Sequence, residues 1–523
     1  MGANLADLIR DAGIARPHTS AIIANDRTTT WAELDRLVHA VAGGLTARRL
    51  DRGDRVAIVL GNSLEFVTSY FGTLRAGLVV VPINRSYTAA EITEVLRSSG
   101  AKVVIADRGS SKAVREAASG LAAVVEVGTD DWRRLTVGST PPPSAETDPE
   151  SLAVLIYTAG TSGRPKGAML THRALLANLD QLSQISDPAT MLPDDIVLIV
   201  LPMFHIYALN AALGMVAKVG ATAVLSDRFE PSATLDLIRQ TKVTNIAGAP
   251  PMYVAWSAHA NIGERLAGVR MLASGSAPLS AAIANQFATA GLTIWEGYGM
   301  TEAAPVISST IATRRFKPGS VGQAIPGVEI KLLDESGGLV RDGDPGEINI
   351  RGANLFSGYW PDGADGPDSQ GWWATGDVAI ADEDGDLRLV ERRSDLILVS
   401  GFNVYPREIE AAISLSPDVS EVAVLGVPHP YTGEAVKAMV VAKAGVALTP
   451  EAVVEFAQTR LARFKSPTIV EIVETLPRSV TGKIMKGSLR DLQVPVSWSD
   501  IEDAANEQAP AGDDPGDGGD KQR

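Results

Sequence analysis

The run Leu155-Ile156-Tyr157-Thr158-Ala159-Gly160-Thr161-Ser162-Gly163-Arg164-Pro165-Lys166-Gly167 holds the chemistry that reads most directly from this chain. An apolar, β-branched stretch stops at small residues, hydroxyls, glycines and one lysine. That order predicts a strand feeding a loop whose backbone amides lie open to an anion. Thr158, Thr161 and Ser162 add hydroxyl donors, Gly160 and Gly163 open the backbone, and Lys166 brings a mobile positive charge for phosphate oxygens. The spacing excludes a Walker A loop, because Pro165 stands where its second glycine should be and Gly167 follows the lysine. Gly, Ser and Pro also mark ordinary surface turns, so the run alone leaves a plain turn open.

Further segments carry residue types suited to the same chemistry. Pro202-Met203-Phe204-His205-Ile206-Tyr207 sets an imidazole among large apolar groups, where a lone His is often only a satisfied core residue. Leu272-Ala273-Ser274-Gly275-Ser276-Ala277-Pro278-Leu279 reads as a strand, a small-residue turn and a helix start; small side chains let a flat ring approach the backbone closely. Gly297-Tyr298-Gly299-Met300-Thr301-Glu302 flanks an aromatic ring with glycines and then places a hydroxyl before a carboxylate. One carboxylate suffices to anchor Mg²⁺, which usually takes one or two together with substrate phosphates. Asp377, in Thr375-Gly376-Asp377, offers an acceptor for ribose hydroxyls, and Arg392 follows in Glu391-Arg392-Arg393-Ser394-Asp395. Lys483, in Val480-Thr481-Gly482-Lys483-Ile484, follows a glycine that gives a long cation reach.

In their order these segments resemble the adenylate-forming superfamily of acyl-CoA synthetases, peptide-synthetase adenylation domains and luciferases, closest in pattern to fatty-acid–CoA ligases. The likeness covers nearly the whole chain. It implies ATP, Mg²⁺ and coenzyme A, and it assigns residues. Thr158, Gly160, Thr161, Ser162, Gly163 and Lys166 would hold phosphates. Gly275, Ser276, Ala277, Glu296, Gly297 and Tyr298 would flank the nucleotide, with adenine between the small-residue turn and the Tyr298 ring. Asp377 and Arg392 would bind ribose. Thr301 would contact the α-phosphate, Glu302 would hold the metal, and His205 would line the junction of acyl pocket and reaction centre. Lys483 would be the catalytic lysine, and Gly401, in Val399-Ser400-Gly401-Phe402-Asn403, would line the pantetheine tunnel.

The implied reaction has two halves. A carboxylate attacks the α-phosphorus of ATP and expels pyrophosphate, and a thiol then displaces AMP from the acyl-AMP. Between them the C-terminal domain would rotate about Ser394. Three departures from the family pattern stand out: Ala374 before Thr-Gly-Asp, Ser394 at a hinge that usually carries Asp or Lys, and Lys486 in place of Arg. A medium- or long-chain fatty acid is the expected acid, with an aryl acid next. A fatty acyl-AMP ligase loading a carrier protein is the alternative within the superfamily. A catalytically silent nucleotide-binding or scaffold protein is the alternative outside it. A carrier protein and a second copy of the chain remain open as partners.

The rest of the chain must position these groups. At 523 residues it exceeds a single core and predicts at least two domains. A hydrophobic fraction of 45% and a charged fraction of 21% are those of a globular protein. With no cysteine, disulfides, a thiolate nucleophile and cysteine-bound zinc are excluded, so the thiol must arrive with the partner. A net charge of −15 argues against nonspecific nucleic-acid binding. Neither a signal peptide nor an apolar run long enough for a bilayer is evident, which gives the expectation of a cytoplasmic protein without integral membrane association.

Thr30 and Glu33 read as a capping box opening a helix. Val56–Leu60, Leu78–Val81 and Val103–Ala106 are continuous apolar strands separated by helical patterns, which indicates parallel sheets covered on both faces. The predicted architecture is α/β: a large N-terminal AMP-binding domain over 1–393, built of stacked α/β subdomains and a small antiparallel unit near 327–350. A small mobile α+β domain follows over 394–497, and 498–523 is an acidic tail too polar to order itself.

Overall fold

The computed structural model describes residues 4–137, 147–159, 165–259, 261–341, 343–392, 395, 397–399, 402–429, 433–478 and 484–491. Two compact units divide the chain, Met1–Ser394 and Asp395–Arg523. The Pro141-Pro142-Pro143 break, Ser394 and the acidic tail lie outside the described residues.

In the first unit the described strands form three sheets. A six-stranded sheet runs Ala123–Glu126, Val103–Ala106, Arg55–Val59, Val79–Pro82, Leu152–Ala159 and Pro165–Thr171. All its neighbours are parallel except the last pair. Its strands lack alternation because both faces are buried. Val56 and Ile58 turn toward the main core with Trp31, Leu34 and Phe66, whereas Ala57 and Val59 pack under Ile92, Val95 and Val114 of the helices Ala89–Ser99 and Ser111–Ala118.

A nine-stranded sheet, also largely parallel, contains Met271–Ser274 beside Ile294–Gly299, with Val306–Ser309 antiparallel to the latter. The third sheet is antiparallel throughout: Val328–Leu333, Gly346–Gly352, Trp372–Ala381 and Leu387–Arg392. The capping box at Thr30 and Glu33 forms, at the start of the helix Trp31–Ala47, and a second one joins Thr88 to Glu91.

One local detail differs from the sequence reading. Pro165 opens a strand, so Lys166 and Gly167 sit on strand backbone rather than in the loop, with Thr158 opposite Lys166 in register. Proline is tolerated as the first residue of a strand, which is how the hairpin accommodates it.

The second unit is built on a long antiparallel hairpin, Val419–His429 with Gly433–Ala442. Ile469–Ile472 joins the latter in parallel, and the helices Pro406–Ile413 and Pro450–Gln458 bury Ile409, Ile413, Val453 and Ala457 on the sheet.

Candidate active site

The strand Ile294–Gly299 delivers Tyr298 and ends where only glycine fits, since a Cβ on Gly299 would lie 2.1 Å from the carbonyl oxygen of Pro305. Beyond it, Thr301–Ala303 forms one tight helical turn that buries Glu302. The Tyr298 hydroxyl donates to Asp377 Oδ2 at 2.6 Å, and both residues are nine-tenths buried or more. Asp377 itself is opposite Arg392 in the antiparallel register of the third sheet, so residues 79 apart in sequence share one place. For Arg392 only the backbone is described.

A second group gathers on Glu302. Tyr359, in the segment after Gly346–Gly352, donates its hydroxyl to Glu302 Oε1 at 2.8 Å. The ammonium of Lys166 lies 5.0 Å above the Tyr359 ring and 2.8 Å from Asp365 Oδ2. Sequence reasoning missed Tyr359 and Asp365: an aromatic and an acid in a loop carry no pattern, and the Lys166–Asp365 pair spans 199 residues.

It also missed the amides that fix the Glu302 turn. Asn354 Nδ2 donates to the Ala303 carbonyl at 2.7 Å, Asn210 Nδ2 to that of Ala304 at 2.8 Å, and Asn178 Nδ2 to that of Val306 at 2.9 Å. All three asparagines are buried. Their burial marks them only once the structure is known: a buried amide needs partners, and these find them on irregular backbone.

The small-residue turn follows the strand Met271–Ser274. Ser276 has φ of 70°, a left-handed conformation costly for a residue with a Cβ and often retained at ligand sites. Gly275 is covered by Tyr207, whose ring would come within 3.3 Å of a Cβ there. Tyr207 begins a π-helical segment, Tyr207–Gly214, a rare geometry that recurs at functional sites.

His205 precedes that segment. Its ring lies 4.6 Å from the Phe204 ring, and burial lowers its pKa to about 4, so the imidazole is neutral at pH 7. Its Nε2 is buried without a hydrogen-bond partner, so the alternative of a satisfied core histidine does not hold for that nitrogen. Glu296 is turned elsewhere. Its carboxylate accepts from the Gly319 amide at 3.1 Å, and burial pushes its pKa up to about 7.

Gly160, Thr161, Ser162, Gly163, Gly401 and Lys483 lie outside the described residues. Among the departures, Ala374 is a strand residue opposite Asn349, and Lys486 pairs with Glu410 at 2.9 Å inside the second unit.

Residues 10–360 match the AMP-binding enzyme family, and residues 408–483 match the AMP-binding enzyme C-terminal domain. The chain belongs to the AMP-binding enzymes. Among its relatives in that family, a feruloyl-CoA synthase of Amycolatopsis sp is 36% identical over 91% of this chain and 96% of its own. A long-chain-fatty-acid–CoA ligase of Escherichia coli O157:H7 is 33% identical over 93% and 94%. The crystal structure of ATP-bound MatB from Rhodopseudomonas palustris superposes with a TM-score of 0.88, at 33% identity over 94% of this chain and 99% of that one. This AMP-binding enzyme is an AMP-forming acyl-CoA synthetase, a ligase that joins a carboxylic acid to CoA at the expense of ATP. No helix among its described residues is long and apolar enough to cross a membrane.

Proposed function

We propose that this ligase activates an apolar carboxylic acid, a medium- or long-chain fatty acid, with the assigned residues dividing the work of two half-reactions. The observation that carries the division is the placing of Tyr359 between Lys166 and Glu302, with Asp377 bonded to Tyr298 on the strand that leads into the Glu302 turn. It gathers a cation, a carboxylate and a ribose acceptor from separate segments of one unit.

Glu302 suits a magnesium ion that arrives with ATP. It is a single buried carboxylate held by a hydroxyl, and the one group of three clustered acids among the described residues is elsewhere, at Asp382, Asp384 and Asp386, where Lys317 pairs with all three. Bound there, Mg²⁺ would offset phosphate charge. In the first half-reaction an acyl carboxylate oxygen attacks the α-phosphorus, and the bond to the bridging oxygen breaks so that pyrophosphate leaves with the electron pair. Both reactants are anions, so neutralisation and positioning carry most of the catalysis. Lys166, Thr158, Gly160, Thr161, Ser162 and Gly163 hold the β- and γ-phosphates, Thr301 the α-phosphate, and Lys483 the charge developing at the reacting centre. The turn Gly275, Ser276 and Ala277 with Gly297 and Tyr298 encloses adenine, and Asp377 and Arg392 take the ribose. The Glu296 carboxylate, tied to backbone, shapes this wall rather than reaching the nucleotide.

In the second half-reaction the CoA thiol gives up its proton to solvent, its sulfur attacks the acyl carbonyl, and the carbonyl–oxygen bond to AMP breaks so that AMP leaves with the electron pair. His205, neutral and with one nitrogen unpaired, hydrogen-bonds the acyl group without adding charge. Gly401 lines the thiol's approach, and Ser394 is the pivot between the two states.

A second reading of the acid has its own observation. The His205 Nε2 is buried without a partner just before the π-helical segment that Tyr207 opens. A buried, unsatisfied nitrogen favours an aryl acid bearing a polar substituent, as the feruloyl-CoA synthase relative would suggest. Pyrophosphate release across a chain-length series of fatty acids and a series of substituted aryl acids decides between them. CoA added afterwards should convert the bound acyl-AMP to thioester; conversion only with a carrier protein would overturn the CoA assignment. Lys483→Ala should abolish pyrophosphate release while sparing the reaction of supplied acyl-AMP with CoA. Equal loss of both would remove Lys483 from its assigned half.

A further inference from the structure

We propose that Tyr359 is a positioning residue that fixes the Glu302 carboxylate and the Lys166 ammonium at one spacing, so that metal and phosphate meet a preformed pair of charges. Three observations carry it.

The first is reach. One side chain contacts both groups: its hydroxyl donates to Glu302 Oε1 at 2.8 Å, and its ring face lies 5.0 Å beneath the Lys166 ammonium, inside cation–π range.

The second is how rigidly Tyr359 is held. The Tyr359 amide donates to the Ala364 carbonyl, and the Gly363 amide donates to the Tyr359 carbonyl, both at 2.8 Å. Gly358 has φ of 92°, and a Cβ on it would lie 2.1 Å from the Gly363 carbonyl oxygen, so this loop closes only with glycine before the tyrosine. The Phe356 ring meets the Tyr359 ring edge-on at 5.1 Å.

The third is that the segment is stapled to both of its clients. The Phe356 amide donates to the carbonyl of Glu302 itself at 2.9 Å. On the other side the Met169 amide donates to Gly358, and the Trp360 amide to Gly167, at 3.1 and 2.8 Å. The strand that carries Lys166 and the turn that carries Glu302 are thereby tied to one short stretch, with Tyr359 at its centre. A side chain needed only for packing would not require its hydroxyl on a buried carboxylate, and Phe would fill the same volume.

The inference rests on the reading of Glu302 as the magnesium residue, so the test separates the two. ATP binding is measured by calorimetry without acid, in excess Mg²⁺ and again in chelator, for the full chain and for the Tyr359→Phe, Glu302→Gln and double variants. Tyr359→Phe should leave ATP affinity in chelator unchanged and shrink the gain in affinity due to Mg²⁺ by about 3–10-fold, the range expected when one ordered side chain is released. Glu302→Gln should abolish that gain, and the double variant should be no worse than Glu302→Gln, because Tyr359 acts through it. Tyr359→Leu, which also removes the ring, should in addition weaken ATP binding in chelator by unseating Lys166. A full Mg²⁺ gain in Tyr359→Phe beside a lost gain in Glu302→Gln overturns the role of Tyr359. A full gain in Glu302→Gln overturns the metal reading beneath it. Equal weakening by Tyr359→Phe with and without Mg²⁺ reduces Tyr359 to packing and also overturns the proposal.

Discussion

Tyr298→Phe removes one oxygen and keeps the ring, which isolates the bond between Tyr298 and Asp377. That bond is 2.6 Å long, links two groups nine-tenths buried, and ends on a carboxylate. A hydrogen bond to a charged acceptor contributes about 1.5–3 kcal/mol. For the unit Met1–Ser394, unfolding entropy scales to about 0.8 kcal/mol/K, so the thermal midpoint should fall by roughly 2–4 °C. Binding should suffer separately. With Tyr298 present the Asp377 carboxylate is already oriented, and in its absence ATP must order it, at about 0.5–1.5 kcal/mol. The ATP dissociation constant should therefore rise about 2–10-fold. Scanning fluorimetry reads the first number and calorimetry without acid the second. A lowered midpoint with unchanged ATP binding would refute the assignment of Asp377 to the ribose. No change in either would refute the bond itself.

Two buried titratable groups give pH predictions of opposite sign. His172 accepts the Leu5 amide on Nδ1 at 3.1 Å, and burial lowers its pKa from 6.5 to about 4. Between those values the unfolded chain binds a proton that the folded one does not, so stability falls as pH drops through that window. His172→Gln should flatten the slope of urea midpoint against pH there, and an unchanged slope would show that His172 does not contribute to it. Glu296 is the reverse case: its pKa rises from 4.5 to about 7, chiefly by burial, so the folded state retains a proton and stability falls as pH rises through that window. Glu296→Gln, whose amide oxygen can still accept from Gly319, should raise the thermal midpoint at pH 8 and give no gain at pH 4; a gain equal at both would point to packing instead.

The elements were legible in the sequence wherever a local rule governed them. The capping box at Thr30 and Glu33, the strand Val103–Ala106 and the antiparallel third sheet follow from hydrogen bonds and apolar periodicities that act within a few residues. Lys166 on strand backbone was not legible, because the extent of that hairpin is set by pairing with Leu152–Ala159 and by the segment 356–360 docking on it. The buried asparagines at 178, 210 and 354 were illegible for a related reason: each serves a backbone carbonyl far away in the chain, and nothing near it in sequence records that carbonyl.

By itself the sequence determined that this chain is a large α/β protein with no thiol of its own, and that phosphate-binding and carboxylate-bearing segments follow one another in the order of the adenylate-forming enzymes. Residue types and short spacings suffice for that, since backbone propensity and side-chain chemistry are local properties. Only the tertiary structure decided which of these groups meet. Tyr298 reaches Asp377, Tyr359 joins Glu302 to Lys166, and His205 keeps a nitrogen unpaired while Glu296 spends its carboxylate on Gly319. Such contacts are fixed by how sheets and turns pack across long stretches of chain. There the burial of a polar group forces it to take whatever partner the fold brings near.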